Sequence, residues 1–248
     1  MVETEMPGSL DEAALRQQVA ACTLLLNDLE IMGYSGHVSA RLPGRDAFLI
    51  QSFDQSRAEL TAADLLVCDF DGRVVAGNDR PPAEVYLHCE ILRARPDVQA
   101  VAHFHDDLTT VFTMVEGLTL LPIKNHAVRW ADGIPTHPDP SHVASPALGR
   151  ALAATLGSCH ALLIRAHGQV VTAGSVPALL VDSVHFVENA RALYQAAALG
   201  RVIPLSAAEM EAFQREFKRD KHVAKLWKYY VGRGRARGLL PKEWSALL

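Results

Sequence analysis

The stretch Arg95-Pro96-Asp97-Val98-Gln99-Ala100-Val101-Ala102-His103-Phe104-His105 is where the fold can first be read. Pro96 ends whatever helix precedes it, because the residue before a proline is biased out of the α region. The alternation over Val98–His105 predicts a strand. His103 and His105 then stand at i and i+2, so both rings leave the same face. Their Cα atoms would lie roughly 6.8 Å apart. Two imidazoles so placed can converge on one ion at about 2.0–2.1 Å, although a lone histidine is more often surface or core than ligand.

Working outward, Pro81-Pro82 opens a helix that runs to about Arg95, since a missing N–H costs nothing in the first turn. Glu84 falls in that first turn, where the helix dipole favours a carboxylate. It shares a face with Leu87, His88 and Ile91, so it is either an ordinary N-terminal carboxylate or one turned inward as proton carrier or fourth ligand. Leu65–Phe70, Asp71-Gly72 and Arg73–Ala76 read as a β-hairpin. Ala47–Ser52 is a short apolar strand candidate, and Leu118–Ile123 is another short apolar run. Ser9 with Glu12 is a capping box for a helix over about 10–32. Downstream, the proline-rich stretch 133–146 reads as a loop with His137 and His142 facing solvent. Ala147–Leu156 reads as a helix. Ala161–His167 reads as a strand whose last residue, His167, precedes a Gly168 that lets the chain turn close to a ligand. Ser175 caps a long helix ending at Gly200, within which His185 reads as a packing residue. Ser206 with Glu209 caps another helix reaching towards Tyr230, and Gly232–Arg237 reads as loose. Strands and helices mix without a regular βαβ rhythm, which predicts an α/β fold with a mixed sheet over residues 1–248 as one domain.

Composition narrows the function classes. The 248 residues carry 24 basic and 28 acidic side chains, a net charge of −4 that leaves no electrostatic footprint for nucleic acid. Apolar runs are too short for a membrane span. Met1–Gly8 has no basic-then-apolar pattern, and the four cysteines lack CxxC spacing, so a cytoplasmic protein with reduced thiols is expected.

Five segments, taken together and in order, resemble the class II aldolase/adducin family over about residues 10–200. They are Gly33-Tyr34-Ser35-Gly36-His37-Val38-Ser39-Ala40-Arg41, the Leu65–Gly72 hairpin, Pro81-Pro82-Ala83-Glu84-x-x-x-His88, the 95–105 stretch and Ala166-His167-Gly168. The resemblance implies an α/β/α sandwich around a mixed, largely antiparallel central sheet, and a homotetramer with active sites at subunit interfaces. It implies that His103, His105 and His167 hold one divalent metal ion and that Glu84 is catalytic. Zinc suits three imidazoles, and manganese, iron or cobalt could take the same ligands.

Three departures from the family pattern bear on the substrate. Gly36-His37 stands where family aldolases carry Gly-Asn, Ser52-Phe53 where they carry Thr/Ser-Gly, and Pro82-Ala83 where they carry paired serines. Proline has neither the N–H nor the hydroxyl that would meet a phosphate oxygen. What remains resembles the branch that decarboxylates aromatic or pyridine dicarboxylates bearing a ring hydroxyl, with manganese slightly favoured. The alternative is an aldolase or epimerase acting on a small sugar or sugar phosphate. On the decarboxylase reading His37 joins Glu84 as proton donor. Ser52, Lys124, His126 and Arg129 are expected to contact the small carboxylate substrate. Lys124, His126 and Arg129 are otherwise surface or interface charges, and Arg57 and Arg165 are weaker candidates for the same role. Tyr229, beside Trp227 and Tyr230, either packs on the body or closes a neighbouring subunit's pocket.

Overall fold

Asp11 caps the first helix, α1 (Glu12–Asp28), its side chain accepting the Ala13 N–H at 2.9 Å. The computed structural model describes residues 11–248, so the expected Ser9 cap lies outside the described residues. The helix ends near Asp28, short of the expected 32. There follow β1 (His37–Arg41), β2 (Ala47–Ile50), β3 (Leu66–Asp69) and β4 (Val74–Ala76). The β3–β4 turn is the expected Asp71-Gly72, with Gly72 at φ +82°. Next come α2 (Val85–Ala94), β5 (Ala100–Phe104), α3 (Asp107–Val111), β6 (Thr136–His137), α4 (Pro146–Leu156), β7 (Ala161–Ile164) and β8 (Gly168–Ala173). The chain finishes with α5 (Val176–Leu199), α6 (Ala207–Glu216) and α7 (Arg219–Ala236).

The sheet order is β4-β3-β2-β1-β5-β8-β7-β6, and every neighbouring pair is antiparallel except β6–β7. Alternation along each strand supplies two apolar faces. On β5, Ala100, Ala102 and Phe104 pack with α1 and α5, while Val101 joins Leu87 and Ile91 of α2 and Leu152 of α4 on the other side. The fold is therefore an α/β/α sandwich, and His103, in phase with Val101, points to the α2 side. Among the described residues no helix is long and apolar enough to cross a membrane.

Several sequence expectations need correction. The 133–146 loop contributes the short β6, which pairs with β7. The helix after Ser206 does not run unbroken. Phe217 is extended at ψ 112°, and the next helix starts with Arg219 reaching Asp182 of α5 at 2.6 Å, a tertiary ion pair that redirects the chain. The segment Gly232–Arg237 is not loose, since α7 continues through Ala236. A side chain at Gly234 would meet Leu240 and Leu25 at 3.0 Å, so the glycine lets the helix dock closely. Val223, Trp227 and Val231 of α7 share the same apolar cluster as α1 and α5.

Candidate metal centre

The site is built where β1, β5 and the β7–β8 turn end together, beside the start of α2. His37 lies directly opposite His103 in the β1–β5 register. The close approach depends on Gly36, which holds φ +105° and whose added Cβ would meet the His103 carbonyl at 2.8 Å. β5 ends at Phe104, so His105 sits one residue past the strand, yet its ring still turns to the same side as His103, with centroids 4.6 Å apart. β7 ends at Ile164, and His167 belongs to the turn into β8 rather than to a strand end. Ala166 takes φ +53° in that turn, a left-handed conformation unfavourable for a residue with a Cβ. Thr113 Oγ1 accepts its N–H at 2.9 Å and holds it there. Gly168 gives β8 room against β5, since a Cβ there would lie 2.6 Å from the Phe104 carbonyl and 2.9 Å from His105 Cδ2.

Glu84 is the N-cap residue of α2, one position before the expected first turn, and its side chain makes no capping bond. It turns into the cleft instead. Oε1 accepts the Val143 N–H at 3.0 Å and lies 3.6 Å from His167 Nε2, while Oε2 lies 3.3 Å from His103 Nε2. Glu84, His103, His105 and His167 each offer one ligand atom, all within 4.8 Å of one another.

His103 tests whether this set fits a cation. Its Nδ1 lies 2.9 Å from the Gln169 carbonyl, which can only accept, so the proton of the neutral ring sits on Nδ1. The fully buried Nε2 then presents a lone pair, without a hydrogen-bond partner, to a carboxylate oxygen 3.3 Å away. Two buried acceptors facing each other at that distance call for a positive charge between them. Burial pushes His105 down to about 3, keeping its ring neutral and ready to ligate. Burial would raise Glu84, but positive charge shared with the facing His103 and His167, standing where a cation would sit, outweighs it and holds the carboxyl well below its ordinary range. Glu84 in turn raises His167. Three neutral-capable imidazoles and a carboxylate suit a divalent ion.

Behind the cluster runs a line that the sequence did not disclose. His37 Nδ1 lies 2.8 Å from His88 Nε2, and His88 Nδ1 lies 2.6 Å from Ser39 Oγ. All three residues are buried, and burial pushes His88 down to about 3 and lowers His37. The i+4 spacing of Glu84 and His88 was the available signal for His88. Of its partners on β1, His37 was the expected proton donor, while Ser39 was hidden because β1 has no distinctive apolar run. His142 is exposed, as expected, and also lines the cleft, with its ring 5.5 Å from that of His167. His137 is buried on β6 and bonds Thr155 at 2.9 Å.

The cleft holds about 800 Å³ and includes His37, Phe53, Arg57, Pro82 and Ala83 in its lining. A profile of the Class II Aldolase and Adducin N-terminal domain family matches residues 16–194. The chain belongs to that family. It is 32% identical over 200 residues to a 3,4-dihydroxyphthalate decarboxylase from Terrabacter sp. (strain DBF63), covering 76% of this chain and 83% of the relative. It is 34% identical over 163 residues to a methylthioribulose-1-phosphate dehydratase from Gluconacetobacter diazotrophicus, covering 59% and 75%. An aldolase II superfamily protein from Pseudomonas syringae superposes with TM-score 0.80 at 25% identity, covering 94% of this chain and 97% of that one. The chain is thus a class II aldolase-family enzyme with a cluster able to bind a divalent metal.

Other residues expected at the site lie elsewhere within the chain. Ser52 is buried outside the cleft lining, and its hydrogen bond lowers the Asp79 carboxyl. His126 and Arg129 line a separate cavity of about 210 Å³ with Asp182, His185, Arg219 and His222. Lys124, outside that lining, pairs with Glu188 at 3.4 Å. His126, His185 and Glu188 also bring ligand atoms within 4.8 Å of one another. The Lys124 ammonium already occupies that carboxylate, and the His126 and His185 rings stack at 4.0 Å rather than converge, so this group suits a cation less well. Tyr229 is 58% exposed on α7 against Tyr230 and does not line the cleft.

Proposed function

We propose that this enzyme is a metal-dependent decarboxylase of an ortho-hydroxy aromatic or pyridine dicarboxylate such as a dihydroxyphthalate. The observation that carries the reading is a complete cation-binding set beside a cleft wall that has lost its hydroxyls. Pro82 and Ala83 line the cleft immediately before Glu84, where a phosphate would need donors. Three relatives named 3,4-dihydroxyphthalate decarboxylase, at 27–32% identity, support it.

Decarboxylation leaves an electron pair on a ring carbon until a proton replaces the lost carbon dioxide. A divalent ion on His103, His105 and His167, with Glu84 beside it, would withdraw electron density through the adjacent ring oxygen. Glu84, held ionised, accepts the ring hydroxyl proton when substrate enters. The C–C bond breaks, carbon dioxide leaves neutral, and the pair stays on the ring. Glu84 or His37 then returns a proton to that carbon. His88 and Ser39 fix the His37 ring and allow proton exchange along the line. Manganese or zinc is the proposed ion. Assembly as a homotetramer with interfacial sites, to which Lys124, His126, Arg129 and Tyr229 would contribute from a neighbouring copy, belongs to the same proposal. Its support is the exposed apolar set Met114, Val115, Leu118 and Leu121. A cytoplasmic location is also proposed.

The test is carbon dioxide release from 3,4-dihydroxyphthalate by protein loaded with manganese or zinc, run beside a ketose 1-phosphate. Release from the first alone is expected. Turnover of the sugar phosphate alone would replace the decarboxylase reading with the aldolase or dehydratase one.

A further inference from the structure

The cleft carries one buried cation that the chemistry above does not use. Arg57 is 8% exposed and is the one Lys or Arg in the cleft lining. Its Nε donates to the Gly36 carbonyl at 3.0 Å, and Nη1 donates to the Phe53 carbonyl at 3.2 Å and to Gln55. These bonds aim the fork without neutralising it. Among the described residues no carboxylate stands within ion-pair distance, and burial alone shifts its pKa downward. A buried guanidinium without an anion is expensive to keep unless a ligand supplies the charge. It is also close enough to His37 to lower that ring's pKa by repulsion.

Beside it stands an apolar wall. Phe53 is 43% exposed at the cleft, and the Arg80 guanidinium covers its ring at 4.1 Å from the centroid. Arg80 is itself tied to Asp54 at 3.2 Å. Pro82 and Ala83 continue that wall towards Glu84. Of the cleft lining, Arg57 alone offers an anion a fixed guanidinium, and only the Phe53–Pro82–Ala83 stretch is apolar enough to strip water from a carboxylate, since the remainder carries Tyr34, Ser35, Asp107 and the histidines.

We propose that Arg57 forms a carboxylate subsite gripping the carboxylate that the substrate keeps, while the Phe53–Pro82–Ala83 wall faces the one that leaves. This rests on the decarboxylase reading. The assignment follows from charge. The departing carboxylate loses its negative charge as it becomes carbon dioxide, so an arginine holding it would stabilise the ground state more than the transition state and slow the reaction. The retained carboxylate keeps its charge throughout, so a guanidinium there binds both states and orients the ring. The C–C bond to the unheld carboxylate breaks, its electron pair stays on the ring carbon, and a proton replaces the carbon dioxide.

Binding tests this without turnover. Calorimetry on metal-loaded protein compares 3,4-dihydroxybenzoate, which keeps one carboxylate, with catechol, which has none. The wild type should bind the acid at least about tenfold more tightly, the range of a charge-assisted bond. Arg57→Met should erase that ratio while leaving catechol affinity and metal content unchanged. Arg57→Lys, which keeps the charge but not the fork, should reduce the ratio and serves if the methionine variant does not fold. A ratio unchanged in either variant, or absent in the wild type, overturns the subsite. An Arg57-dependent ratio in a protein that releases no carbon dioxide from dihydroxyphthalate would leave the subsite standing and overturn the decarboxylase reading.

Discussion

Two histidine-rich cavities lie in this molecule, and their difference shows what makes imidazoles chemical rather than structural. The cleft at the ends of β1 and β5 gathers His103, His105 and His167 around Glu84. The cavity between α5, α6 and α7 gathers His126, His185 and His222 near Glu188. In the cleft a backbone carbonyl fixes the His103 tautomer and leaves its other nitrogen facing a carboxylate no cationic side chain neutralises. Beside the cavity Lys124 takes Glu188, and within it Arg129 and Arg219 together take Asp182 at 3.2 and 2.6 Å. Both places hold several imidazoles. What differs is whether the local anion has already found a partner.

The sharpest way to break this contrast is His103→Ala. It should abolish stoichiometric metal in elemental analysis and cut carbon dioxide release by about 1,000-fold or more, since the ion supplies several kcal/mol of charge stabilisation. Metal retained at full stoichiometry would erase the distinction between the cavities. His37→Gln should lower turnover by about 100-fold with metal retained, the size of one general acid–base contribution. Loss of metal as well would make His37 a support for His103 rather than a proton carrier.

On the other cavity, Asp182→Asn should leave metal content unchanged and destabilise the fold by about 2–3 kcal/mol in denaturant titration, below the fully buried range because both guanidinia are partly exposed. Burial raises the Asp182 carboxyl even with both arginines beside it, so the expected loss comes from leaving two guanidinia without a carboxylate rather than from the worth of the ion pair itself. The smallest effect is a pH dependence at His185, which burial pushes down to about 3 from an ordinary 6.5. The unfolded chain binds a proton there that the folded chain refuses. Stability should therefore fall as pH drops below 6.5 towards 3, and be flat in this contribution above 6.5. In thermal melts between pH 7 and 5, His185→Ala should show a shallower decline than the wild type. An equal decline would show that other groups dominate the acid sensitivity.

Much of the centre was legible as pattern. His103-x-His105 has strand spacing, Glu84 and His88 have helical spacing, and Gly168 follows His167 because nothing larger fits against Phe104. The supports were not. Gln169, Ser39 and Val143 act through one hydrogen bond each, and any residue with the right carbonyl, hydroxyl or N–H would serve, so their identities carry no signal. The expected substrate contacts Lys124, His126 and Arg129 are cations that could have faced any anion. Within the chain their partners are Glu188 and Asp182 of α5, some sixty residues away in sequence, and Ser52 likewise turned out of the cleft.

By itself, the sequence determined the alternation that makes each strand two-faced, the caps at Ser175 and Ser206, and the residue types able to ligate an ion. These are properties of short windows, where side-chain period and hydrogen-bonding capacity act locally. Tertiary structure alone decided which imidazoles share a carboxylate, because that depends on the β1–β5 register, on the turn that carries His167 and on α2 beginning at Val85, three residues past Pro82. It also decided that Arg57 meets no anion while Arg129 and Arg219 share one, since electrostatic pairing is settled by distance through space and burial rather than by position along the chain.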